Sequence, residues 1–198
     1  MKNKIDMTNG NIYKLILLFS MPLFIGNLFQ LLYTLCDSII ASHLIGSDAL
    51  AAIGATSSVT SLIVTLTSGM GAGASIIISK AFGEHNNAKI KNSIFTIIVI
   101  NILISIVISL VVFLSTDGIL NLLNVPLDIY QMAKDYFVVM ILGLITTLMY
   151  NTLSGILRAF GNSFFPLLVL IFSSIINIGG DFLFILPLKM GLFGSALA

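Results

Sequence analysis

The sequence predicts an all-α, polytopic membrane protein with five complete transmembrane helices and the start of a sixth. Three observations carry that prediction. The 198 residues are 58% hydrophobic and only 9% charged, whereas soluble domains carry about 25% charged residues. The apolar runs are continuous and reach the roughly 20 residues that a spanning helix needs, unlike the alternating runs of about 10 residues in barrel strands. Polar residues inside the runs recur at helical spacing, as they do when one helix face is sheltered from lipid.

Residues 1–14 are polar and contain Lys2, Lys4 and Lys14. The apolar run behind them is too long for a signal peptide and no small-residue cleavage site follows, so they are expected to remain as a cytoplasmic tail. Residues 15–198 form the expected membrane unit. The first helix covers about 15–45 and is interrupted by Pro22 and the lone acid Asp37. The second covers about 49–82 and is rich in small residues. Within it, Gly69 and Gly73 make a small-xxx-small pair expected to permit close helix approach. A phosphate-loop reading of this glycine cluster fails, because no strand precedes it.

The third helix covers about 94–114, with Asn101, Ser105 and Ser109 on one stripe. The connection 115–135 has an apolar middle, Ile119–Val125, expected as a short interfacial helix. The fourth covers about 136–157, with Thr147, Asn151 and Ser154 on one face; the fifth covers about 164–188. A sixth opens at Gly191 and has no room to cross before Ala198. That ending leads us to expect a longer parent protein.

Charge placement orients the bundle. Lys2, Lys4, Lys14, Lys80, Lys89, Lys91 and Arg158 fall on one side, and Lys134 and Lys189 on the other. The positive-inside rule then puts the N-terminus in the cytoplasm of a multi-pass protein of the inner (plasma) membrane. A net charge of +1 argues against nucleic acid as a partner. The single cysteine, Cys36, allows no disulfide framework. His43 and His85 sit on opposite sides and cannot share a metal. Neither HExxH, G-x-S-x-G nor a Walker lysine occurs, so an enzyme is not expected, nor a bound cofactor.

Function in lipid is read from groups that are costly there. Charges at membrane depth cost several kcal/mol and usually face a cavity. Asn27, Gln30, Thr34 and Asp37 share one face of the first helix, with Tyr33 beside them. Interhelical hydrogen bonding explains the amides and the hydroxyl, but explains a carboxylate poorly, so this face is expected to line a cavity. On the fifth helix, Ser174, Asn177 and Asp181 share a face, with Gly179 and Gly180 before the acid. At 1.5 Å per residue, Asp37 and Asp181 each lie about 10–12 Å below the outer end of their runs. They are therefore expected at one level, where two carboxylates in a low-dielectric pocket disfavour double ionisation. Such a pair suits a proton, or Na⁺ with help from the Asn177 amide oxygen. Asn151 is a further cavity candidate.

The order of local motifs resembles the N-terminal lobe of the MATE family of multidrug and toxin extrusion transporters. The carriers are Met21-Pro22-Leu23 through Tyr33 and Asp37-Ser38, Leu50-Ala51-Ala52-Ile53-Gly54, and Ser79-Lys80-Ala81-Phe82-Gly83. They continue with Leu157-Arg158-Ala159-Phe160-Gly161-Asn162 and Pro166, Asn177 through Asp181-Phe182-Leu183-Phe184, and Gly191–Ala198. The resemblance implies a secondary active antiporter of two six-helix lobes. It would export drugs or other amphipathic organic cations in exchange for H⁺ or Na⁺. It also implies a cation or proton site at Asp37, Asn177 and Asp181, and a substrate cavity involving Asn27, Gln30, Tyr33, Thr34 and Asn151. On this reading the C-terminal lobe is missing as a partner. Two alternatives stay open: a lipid-linked oligosaccharide flippase of related fold, which needs a more basic cavity, and a small oligomeric channel-like or structural membrane protein.

Overall fold

The structure is a computed structural model that describes residues 11–198, and it folds them into eight α-helices with no strand among them. Lys2, Lys4 and most of the expected tail lie outside the described residues. Helix α1 (Ile12–Leu44) starts where Asn11 Oδ1 accepts from the Tyr13 and Lys14 N–H groups, satisfying donors that a helix start leaves free. It runs through Pro22, whose ring removes one N–H from the ladder. Helix α2 (Ser47–Gly83) returns, and α3 (Asn87–Leu114) follows a turn capped by Asn86, whose Oδ1 accepts from Lys89 N–H at 2.9 Å. Then come α4 (Thr116–Leu122), α5 (Leu127–Leu142), α6 (Leu144–Ala159), α7 (Phe164–Ile185) and α8 (Gly191–Leu197).

Helices α1, α2, α3 and α7 are each long and apolar enough to cross a membrane; α5 and α6 make a fifth crossing as one bent pair. This departs from the single helix expected over 136–157. Helix α5 begins nine residues earlier, directly after Pro126, whose fixed φ suits a helix start. Its first turns carry Asp128, Gln131, Lys134 and Asp135, so hydropathy does not register them as helix. The pair then bends by 41° at Gly143. Ser109 Oγ on α3 donates to the Ile141 carbonyl at 3.0 Å, just before the bend. The short connecting helix, expected over Ile119–Val125, sits slightly earlier as α4. Asp117 on α4 accepts from Lys134 Nζ at 2.6 Å and from Tyr130 OH at 3.0 Å, tying it to α5.

Polarity is distributed as lipid demands. Large side chains such as Leu17, Leu62, Ile76, Phe95, Leu103 and Phe172 point outward, while Thr56, Thr67, Asn101, Ser105, Thr152 and Asp181 are buried. Lipid tails are as apolar as leucine, so helices here are held by close packing and interhelical hydrogen bonds. The tightest crossing joins α2 to α6 at Gly71 and Gly155. A Cβ on Gly71 would lie 2.9 Å from the Asn151 carbonyl carbon, and one on Gly155 2.9 Å from that of Gly71. Asn151 Nδ2 donates to Thr67 Oγ1 at 3.0 Å across this seam, and Asn101 Nδ2 donates to Thr152 Oγ1 across the α3–α6 seam.

The expected role of Gly69 and Gly73 is corrected by this crossing. A Cβ on either would meet open space. Two residues at 100° each put Gly71 on the opposite face from both, and that face meets α6.

Packing at the two ends positions the site. Phe82 stacks edge-on against Phe160 with ring centroids 5.5 Å apart, joining the end of α2 to the end of α6. Helix α6 stops there in a Schellman turn. Gly161, at φ 76°, lets Asn162 N–H reach Leu157 O at 3.0 Å and its own N–H reach Arg158 O at 2.9 Å. Helices α1 and α7 pack together, with Gly26 beside Leu167 and Leu170. Helix α8 packs against α5, α7 and α1, which brings it to the two acids.

Candidate cation site

Four helices bring one polar side chain or more to a single point. Asp37 comes from the C-terminal third of α1, Asn177 and Asp181 from α7, Tyr136 from α5 and Ser195 from α8. The α-helical repeat places Asn177 and Asp181 one turn apart on the same face. Glycine sets the closeness of α8. A Cβ on Gly180 would lie 2.9 Å from that of Ala198, and a Cβ on Gly194 2.9 Å from that of Phe184. With both positions bare, α8 settles against α7 next to Asp181.

The hydrogen bonding is lopsided. Ser195 Oγ donates to Asp37 Oδ1 at 3.0 Å. Asp181 is 0% exposed, and neither of its carboxyl oxygens accepts a bond of good geometry, although the Ser195 hydroxyl lies within reach of both acids; Asn177 Oδ1 is also buried without a partner. Asp37 and Asp181 face each other within interaction range. Tyr33 and Tyr136 both lie within electrostatic reach of the two acids. The site is thus rich in buried oxygen acceptors and short of donors.

Acceptors without donors need either a proton or a cation, since burying a carboxylate unpaired is expensive. Hard cations take oxygen ligands such as carboxylates, amide carbonyls and hydroxyls, and Asp37, Asn177, Asp181 and Ser195 offer all three kinds. Among the described residues no group of three or more His, Cys, Asp or Glu side chains is placed to hold a metal ion. A single proton held between the two carboxyls would satisfy the same shortage.

The residues expected from sequence divide into three groups. Asp37 and Asp181 are brought together, Asn177 lies one turn from Asp181 on α7, and half-buried Tyr33 lies within electrostatic reach of both acids. Asn27, Gln30 and Thr34 lie exposed along α1, with Thr34 Oγ1 bonded back to the Gln30 carbonyl at 3.0 Å. Asn151 sits apart, in the α2–α6 seam with Thr67. Sequence reasoning missed Ser195 and Tyr136. The available signal for Ser195 was a lone hydroxyl in the apolar segment Gly191–Ala198. Tyr136 stood at the predicted edge of a helix, where a tyrosine reads as an interfacial anchor.

The MatE family model matches residues 22–183. A probable multidrug resistance protein of Bacillus subtilis (strain 168), YpnP, is 29% identical over 191 residues, covering 96% of this chain and 43% of its own length. A second from the same organism, YoeA, is 28% identical over 192 residues, covering 95% of this chain and 42% of its own. Among solved structures, MATE in complex with MaD3S superposes with a TM-score of 0.89 at 27% identity, over 100% of this chain and 44% of that one. A MOP superfamily transporter from Pyrococcus furiosus, described as having a binding pocket of reverse polarity, gives 0.89 at 28% identity, over 99% and 43%. The chain therefore spans less than half the length of the proteins it matches.

Proposed function

The chain belongs to the MatE family, and from that membership we propose that it forms the ion-coupling lobe of a secondary antiporter. The antiporter exports drugs or other amphipathic organic cations in exchange for H⁺ or Na⁺. The observation that carries this reading is the set of three buried oxygens without a hydrogen bond, on Asn177 and Asp181 one helical turn apart, with Asp181 against Asp37. A gradient can drive transport only if the coupling ion binds two states of the protein with different affinity. A site whose charge is uncompensated when empty has a strong preference for whichever state lets the ion in.

In the proposed cycle the ion reaches Asp37 and Asp181 from outside and lowers the negative charge of the pair by one. That loss of charge weakens the pull of Asp37 on the Ser195 hydroxyl and changes how α1 packs on α7 and α8. Pro22, where the α1 ladder lacks a donor, is the natural hinge for the response. Drug release accompanies it, and loss of the ion to the cytoplasm resets the lobe. Asn27, Gln30, Thr34 and Asn151 are the proposed substrate-contacting residues, with Tyr33 shared between the two tasks.

We place the protein in the plasma membrane with residues 1–14 cytoplasmic. The described basic residues Lys14, Lys80, Lys89, Lys91 and Arg158 all belong to the Phe82–Phe160 end, which supports that orientation. The oligosaccharide flippase reading is not favoured, because the candidate site is acidic where a pyrophosphate would need bases.

The test is gradient-driven efflux by the full-length protein in vesicles. Asp37→Asn and Asp181→Asn should each abolish uptake driven by a pH or Na⁺ gradient while leaving downhill drug binding measurable. Efflux at wild-type rate in Asp37→Asn would sink the coupling role. Which gradient drives the wild type identifies the ion.

A further inference from the structure

A second feature lies far from the acids, on the outer flank of the α2–α3 hairpin. A groove of about 560 Å³ opens there, lined by Asn86, Lys89, Asn92 and Thr96 at one end and by Ile77 and Ile100 toward the other. The lining is graded along α3: polar for the first turns, apolar beyond. From Asn86 to Ile100 the groove runs about 21 Å at 1.5 Å per residue. A bilayer is about 40–45 Å thick with its headgroups, so the groove has the length of one leaflet. Ile77 and Ile100 are half-exposed to the lipid side.

The polar end has donors to spare. Asn92 and Thr96 have no side-chain hydrogen-bond partner among the described residues. Lys89 Nζ gives one bond to Glu84 at 2.6 Å, and an ammonium has three donors. Charge at this end of the molecule is strongly biased. Among the described residues, Lys14, Lys80, Lys89, Lys91 and Arg158 face Glu84 alone, whereas the other end combines Lys134 and Lys189 with Asp48, Asp117, Asp128 and Asp135.

We propose that this groove holds one anionic glycerophospholipid, its phosphate on Lys89, Asn92 and Thr96 and an acyl chain along Ile77 and Ile100. The graded lining fits an amphiphile lying parallel to the helix, and the basic end selects a headgroup with net negative charge. A soluble phosphate would leave the apolar half of the groove unused, and a neutral lipid would leave the charge bias unanswered. A basic residue near the surface contributes about 1 kcal/mol toward anionic lipid, which corresponds to about a fivefold preference.

The chain has no tryptophan, so a single introduced one reports alone. Ile100→Trp places the reporter in the groove; Leu168→Trp, on α7 at the same end, serves as a lipid-facing reference. The 198-residue chain would be reconstituted with brominated phosphatidylglycerol or brominated phosphatidylcholine, and quenching compared. We expect phosphatidylglycerol to be favoured about fivefold at the groove reporter and not at the α7 reference. The preference should collapse when Lys89→Gln is added and persist with Lys91→Gln, which lies off the groove face of α3. Equal quenching of the groove reporter by the two lipids, or a preference untouched by Lys89→Gln, would overturn the proposal.

Discussion

Ser195 donates its hydroxyl to Asp37 at 3.0 Å across 158 positions of sequence, and this bond fastens α8 to α1. In the proposed cycle it is the contact through which α8 would sense the occupancy of the site. A hydrogen bond to a charged group is worth about 1.5–3 kcal/mol. The bond stabilises the empty, charged Asp37 carboxylate, so Ser195→Ala should tighten coupling-ion binding by roughly 10- to 100-fold, whereas Ser195→Thr, which keeps the hydroxyl, should stay near wild type. Ion titration of the purified protein, followed by thermal stability, measures this. Equal affinities for the alanine and threonine variants would show that the bond carries no coupling.

Asp181 is expected to trade stability for function. Its carboxyl is fully buried and accepts no bond of good geometry, and a buried group left unsatisfied costs about 1–3 kcal/mol. Asp181→Asn removes the charge and adds an amide that can donate toward Asp37. In ion-free buffer we expect the variant to be the more stable by about that amount, while its stabilisation by added coupling ion disappears. A lower Tm for Asp181→Asn without ion would mean that the carboxylate is satisfied by a partner such as water.

The glycine seam gives a sharper structural contrast. At Gly155 a methyl group would strike the Gly71 backbone, and backbone cannot swing aside as a flexible side chain does. Gly155→Ala should cost about 3 kcal/mol, lowering Tm in detergent by roughly 6–12 °C. Gly69→Ala and Gly73→Ala face open space and should be neutral or slightly stabilising, since alanine is the better helix former by about 1 kcal/mol. If all three variants behaved alike, the α2–α6 crossing would be misplaced.

The same seam explains how far the sequence could be read. Lipid requires backbone groups to be satisfied within each segment, so helix number and type follow from hydropathy. That is why α1, α2, α3 and α7 were visible as apolar runs. Asp37 and Asp181 were visible because a carboxylate in such a run has few other reasons to be there. Which face of a glycine-rich helix meets a neighbour is a pairwise property. Gly69, Gly71 and Gly73 are equivalent until α6 is placed. Tyr136 and Ser195 were invisible for the same reason: each is an ordinary residue until the bend at Gly143 and the glycines of α7 and α8 carry it to the acids. The early start of α5 was hidden because a helix standing out of the bilayer looks, by hydropathy, like a loop.

Near the bend, Ser109 caps the Ile141 carbonyl at 3.0 Å. Ser109→Ala leaves that carbonyl only the shared Gly143 N–H and should destabilise by about 1 kcal/mol. Hydrogen exchange around 139–145 should rise, with the first turn of α5 and the last turn of α6 unaffected. Unchanged exchange would imply that another donor takes over when the hydroxyl is lost.

Finally, Glu84 competes with lipid for Lys89. The hydrogen bond from Lys89 holds the Glu84 carboxyl below its ordinary value, so the pair persists throughout the neutral and mildly acidic range. The sign follows from linkage: a depressed carboxyl contributes its small stabilisation above the unfolded-chain value of about 4.3 and loses it as pH falls through the lower folded value. Anionic-lipid preference at the groove reporter should therefore be flat between about pH 7 and 5. Glu84→Gln should raise it already at neutral pH, because Lys89 then has all its donors for phosphate. A preference that climbed steadily as pH fell through this window would show that the Glu84–Lys89 pair does not set it.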